Sequence, residues 1–179
     1  MRIKGVKVES KAKFLGHPTH PMLIAFPLGL LATAAIFDII AVVRGTSSLF
    51  IASFWMIAAG ILGGVIASVF GLIDWLAIPE GTRAKRIGLW HGAGNGLVIF
   101  LFAISWLLRR PAPDQPAWTA LVFSWLAVLI ALVTAWLGGE LVDRLGVGID
   151  DGANLNAPNS LSRRMAKQDQ TDARARRVA

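Results

Sequence analysis

The stretch MLIAFPLGLLATAAIFDIIAVV, residues 22–43, decides the fold. It holds one ionisable side chain, Asp38, and at about 1.5 Å per helical residue it is long enough to cross roughly 30 Å of hydrocarbon. Three more apolar runs follow, Ile51 to Ile78, Leu89 to Leu108 and Trp118 to Leu137. The chain has 179 residues, 55% hydrophobic and 16% charged, whereas soluble domains carry about 25% charge. The expected fold is therefore all-α, an integral membrane four-helix bundle over residues 16–149, with spans at about 21–43, 51–78, 84–108 and 117–140. A basic head, residues 1–15, precedes it, and a polar, disordered tail, residues 150–179, follows. The first run continues well past the small residues Ala32, Thr33 and Ala34, so it reads as an uncleaved anchor and not as a signal peptide.

The net charge of +7 is distributed by topology. Basic residues before span one, between spans two and three (Arg83, Lys85, Arg86) and after span four make fifteen of the eighteen, and the opposite loops hold only Arg44, Arg109 and Arg110. The positive-inside rule then predicts a multi-pass protein of the bacterial inner (cytoplasmic) membrane with both termini cytoplasmic. This division argues against nucleic acid as a partner and for the lipid bilayer, with Arg83, Lys85 and Arg86 suited to headgroups. No cysteine is present, which excludes disulfides and thiolate metal sites.

Small residues recur at four-residue spacing in every span: Ala25, Gly29 and Thr33; Gly60, Gly64 and Ser68; Gly88, Gly92 and Gly96; Ala127, Ala131 and Ala135. Such stripes let helix backbones approach in lipid, and spare ones leave room for a homodimer. Tryptophans 55, 75, 90, 106, 118 and 136 fall near span ends, as an interfacial belt requires. Thr82 is placed to cap the third helix, and Pro27 interrupts the first. Asp38 lies 18 residues beyond His20, roughly 27 Å along the helix, and is expected as a hydrogen-bonding group at the outer rim.

The remaining polar residues fall into one cytoplasmic-side layer. Gly16-His17-Pro18-Thr19-His20-Pro21 holds two of the three histidines at a helix start. Asp74 leaves span two, His91 enters span three with Asn95 one turn deeper, and Glu140 and Asp143 follow span four. Ionisable groups at membrane depth face inward and find partners. His17, His20, Asp74, His91 and Glu140 are a candidate set for a divalent metal such as zinc or iron. Histidines His17, His20 and His91 offer instead a pair for haem. A third possibility is that imidazoles and carboxylates only staple helix ends. No nucleophile–base pair or phosphate loop is visible, so no catalytic residue is assigned and the reading leans away from an enzyme.

Four motifs, Gly-His-Pro-Thr-His-Pro (16–21), Gly-Leu-Ile-Asp-Trp (71–75) with Pro79-Glu-Gly-Thr-Arg-Ala-Lys-Arg, Leu-Trp-His-Gly-Ala-Gly-Asn (89–95) and Trp-Leu-Gly-Gly-Glu-Leu-Val (136–142), closely resemble the bacterial membrane family catalogued as domain of unknown function 2231. The resemblance covers residues 14 to 150 and implies a four-helix membrane domain. In other proteins that domain is sometimes joined to a Rieske-type iron–sulfur domain, which points toward electron transfer. The family pattern commonly has a histidine where this chain has Leu145, so a ligand set of four histidines is incomplete here. The leading expectation is a haem- or metal-binding redox accessory to respiratory or iron–sulfur electron carriers. The alternative is a structural or interaction protein, and a third is a small transporter, disfavoured because no charge lies near the membrane midplane.

Overall fold

The computed structural model describes residues 8–161. Residues 1–7 and 162–179, with the head and tail basic residues they contain, lie outside the described residues. The four apolar runs form helices α1 (Thr19–Arg44), α2 (Ser47–Leu76), α3 (Arg83–Arg109) and α4 (Trp118–Gly139), and α4 continues into a π-helical turn, Glu140–Arg144. Each span is 26 to 30 residues long and apolar enough to cross a membrane. The fold is thus the expected all-α membrane bundle. Phe26, Leu62, Phe100 and Leu132 point outward and are 61 to 75% exposed, an arrangement that suits lipid and not water.

The core is assembled from all four helices. Leu31 and Ala34 of α1, Ile57 of α2, Val98, Leu101 and Phe102 of α3, and Ala127 of α4 form one buried cluster. Small residues on α2 make room for it. A Cβ at Gly60 would fall 2.7 Å from the Leu31 side chain, and one at Gly64 would fall 3.1 Å from Ile99. Pro27 is buried and packs over Gly63 and Gly64, so the residue that cannot donate a backbone hydrogen bond lies against the least bulky part of its neighbour. Gly29, Gly92 and Gly96 meet nothing, so those parts of the small-residue stripes face outward.

The connections follow local chemistry. Gly45, at φ 63°, ends α1 in the left-handed conformation that glycine adopts without strain, and α2 starts two residues later. Thr82 caps α3 as expected, its hydroxyl accepting from the Lys85 N–H at 3.1 Å. Before α1 the chain forms a small antiparallel hairpin, β1 (Lys13–Phe14) and β2 (His17–Pro18), around Leu15 and Gly16. Both turn residues have positive φ, 50° and 84°, as a tight hairpin whose twist matches its strands requires. Val8 bridges to Val147, and its carbonyl accepts from the Gly148 N–H at 2.7 Å, so the segment at Val8 lies beside the exit of α4.

Candidate functional site

The polar residues occupy the two ends of the bundle. At the end opposite the head hairpin, Arg109 of α3 and Asp38 of α1 form a bidentate pair, Nη1 to Oδ1 at 2.8 Å and Nη2 to Oδ2 at 2.6 Å, with both side chains 0% exposed. Three hydroxyls complete it. Nε donates to Ser105 at 3.1 Å, Nη1 to Ser53 at 3.2 Å and Nη2 to Ser124 at 2.8 Å. All five guanidinium donors therefore have acceptors, drawn from all four helices. This corrects two expectations: Arg109 is not a loop charge, and Asp38 is not a rim group. The apolar run stops at Leu108, but the helix does not, and the last turn carries Arg109 back over Ser105 into the bundle.

At the other end, beside the head hairpin, His20 and His91 repeat one arrangement. His20, in the first turn of α1, donates Nδ1–H to the Ala67 carbonyl of α2 at 2.8 Å, and its ring lies over Gly71, where a Cβ would fall 2.9 Å from Cε1. His91 of α3 donates Nδ1–H to the Thr134 carbonyl of α4 at 2.8 Å, and its ring lies over Gly138, where a Cβ would fall 3.0 Å from Cε1. A carbonyl can only accept, so Nδ1 carries a proton in both rings. His91 Nε2 takes a hydrogen bond from Asn95 Nδ2 at 3.2 Å, and Asn95 Oδ1 accepts from the Thr134 hydroxyl at 2.9 Å. His91, Asn95 and Thr134 thus close a ring of hydrogen bonds between α3 and α4.

The other members of the expected layer go elsewhere. His17 is on β2, exposed, 3.2 Å from the Ser160 hydroxyl. Asp74 binds the head: Ser10 Oγ lies 2.8 Å from both carboxylate oxygens, and the Lys11 and Ala12 N–H groups reach Oδ1 at 2.8 and 3.2 Å. Glu140 pairs with Arg83 at 2.7 Å, and Asp143 is exposed. No group of three His, Cys, Asp or Glu side chains positioned to hold a metal ion exists among the described residues. The set His17, His20, Asp74, His91 and Glu140 is therefore not drawn to one point.

Two of the three basic residues at the start of α3 are committed within the protein as well. Lys85 is buried, donates to the Trp75 carbonyl at 3.1 Å, lies 4.0 Å from the Trp75 ring centroid and pairs with Glu80, while Arg83 holds Glu140.

Four helices long and apolar enough to cross a membrane agree with one family description. The family described as "Predicted membrane protein (DUF2231)" matches residues 16–151. The chain belongs to DUF2231. The match begins at the head hairpin and ends just past the Val8–Val147 bridge, so it takes in both polar ends of this family member. No curated protein and no solved structure matches the chain.

Proposed function

We propose that this protein is a structural or interaction protein of the bacterial inner membrane, both termini cytoplasmic, whose histidines and carboxylates fasten its elements to one another. One observation carries the reading: at the histidine end, His20, His91, Asp74 and Glu140 each bond to another element of the fold. Asp74, Glu140 and His91 Nε2, already engaged in this way, would have to give up bonds before binding anything else. The test is metal and haem analysis of detergent-purified protein, expressed with haem, iron and zinc supplied. Substoichiometric content fits fastening, and one equivalent of haem or metal per chain breaks it.

The redox or metal-binding reading keeps one supporting observation. A metal-bound histidine typically donates its other ring N–H to a carbonyl or carboxylate, which fixes the tautomer, and both His20 and His91 donate Nδ1–H in this way. His20 Nε2 has no hydrogen-bond partner among the described residues. A haem or a metal ion of low coordination number held by His20 and His91 would serve an accessory to electron carriers. An absorption band in the visible, lost in His20→Ala and in His91→Ala alike, would favour it.

A further inference from the structure

The two histidine arrangements are one instance of a wider correspondence. A shift of 71 residues, the separation of Asp38 and Arg109, also carries His20 onto His91, Pro27 onto Val98, Leu31 onto Phe102 and Ala34 onto Ser105. Apart from the partly buried histidines, every member of these pairs is buried. A second constant shift relates α2 to α4. It carries Ser53 and Phe54 onto Ala120 and Leu121, Ile57 onto Ser124, Gly60 onto Ala127, and Ala67 onto Thr134, all buried. The same shift takes Gly71, under His20, onto Gly138, under His91. Outward positions agree too: Ile36 and its counterpart Leu107 are each 53% exposed. Both histidines lie at the same end of the bundle, so the copies run parallel, as repeats do when they are related by an axis along the membrane normal.

We propose that the bundle is two copies of one helical hairpin, α1–α2 and α3–α4, facing each other across an internal two-fold axis along the helices. In this arrangement Asp38 and Arg109 are the charge key by which each hairpin takes the unlike one. They hold the same register position in the two copies and meet where no water reaches. Pairing a hairpin with a like one would set carboxylate against carboxylate, or guanidinium against guanidinium, at a fully buried point, and such a clash disfavours the wrong partner more strongly than any apolar mismatch. At the opposite end the axis relates imidazole to imidazole, the same group in both copies, which discriminates nothing. Partner choice therefore resides at the arginine end, and the polar set there is transposable between the copies.

Two measurements on the full chain test this. Because the protein has no cysteine, nitroxide pairs can be placed through Ile36→Cys with Trp136→Cys and, separately, through Val69→Cys with Leu107→Cys, which the axis interchanges. Electron–electron distances in lipid should agree between the two pairs, and unequal distances overturn the axis. The second measurement exchanges the polar set across the axis: Ala34→Ser, Asp38→Arg, Ser53→Ala and Ile57→Ser in one hairpin, Ser105→Ala, Arg109→Asp, Ala120→Ser and Ser124→Ile in the other. Asp38→Arg alone should lower the melting temperature steeply, and the exchanged variant should recover more than half of that loss. Recovery of less than half, including failure to fold, overturns the key.

Discussion

The two ends of the bundle solve the same problem, polar groups within a membrane domain, by different means. At the arginine end one cation and one anion cancel each other, every guanidinium donor is satisfied, and exposure is nil. At the histidine end the groups are half-buried, bonded mostly to backbone carbonyls and to the head, and are not gathered round one charge. The first design holds four helices at one point and leaves no capacity for a ligand. The second holds elements in pairs and leaves an imidazole nitrogen unspent. Depth accounts for the difference, because a charge without water needs all of its partners from protein.

Breaking the arginine end should therefore have the largest effect. Arg109→Leu or Asp38→Asn leaves a buried partner uncompensated and should cost about 3–5 kcal/mol in detergent unfolding, whereas replacing both by apolar residues of similar volume should cost far less. At the histidine end the two hairpins differ. His91→Ala opens a ring that includes Asn95 and Thr134 and should cost about 1–3 kcal/mol, and His20→Ala, which removes one bond, about 1 kcal/mol. Similar losses for both histidines would mean that the Asn95 ring adds nothing. Smaller still, Asp74→Ala should release the head with about 1 kcal/mol of local stability, read as faster tryptic cleavage at Lys11 and Lys13 with the melting temperature unchanged.

The smallest effect lies outside the bundle. The Asp151 N–H, then Lys13, hold the Glu9 carboxyl below its ordinary range, and Glu9, then Asp150, raise Lys13. A lowered carboxyl stabilises above its ordinary value, and that contribution is lost as pH falls through the lowered one. A raised amine stabilises below its ordinary value, and that is lost as pH rises through the raised one. The head should thus be held near neutrality and loosen in acid, seen as smaller amide protection factors around Glu9, each taken against the intrinsic exchange rate at that pH, at pH 3 than at pH 7. Both groups are largely exposed, so salt should weaken the effect.

Much of this architecture was legible in the sequence. Run length gave four spans, and Thr82 three residues before Lys85 gave the cap of α3. Counting along the helices separates Asp38 from His20 by most of the length of α1. Helix rotation does not follow from counting, because helices apolar on every side carry no strong periodic signal to say which face turns inward. The residues of the expected layer therefore meet other neighbours: His17 is on a hairpin, and Asp74 turns to the head. The Asp38–Arg109 pair was missed because Arg109 follows Leu108 and precedes two prolines, and so was read as loop. A signal was present, since His20 stands as far before Asp38 as His91 before Arg109. Opposite charges at matching positions of parallel helices invite pairing.

The cancellation of Arg109 by Asp38 also bears on voltage. A transmembrane potential acts on each elementary charge with about 2.3 kcal/mol per 100 mV. Arg109 and Asp38 lie at one depth, bound to each other, and away from their first and last turns α1 to α4 carry no other charged side chain. The field therefore pushes the two by equal amounts in opposite directions, and the helices feel no net force. Energising the membrane should leave this bundle where it is, a passive body in a polarised bilayer.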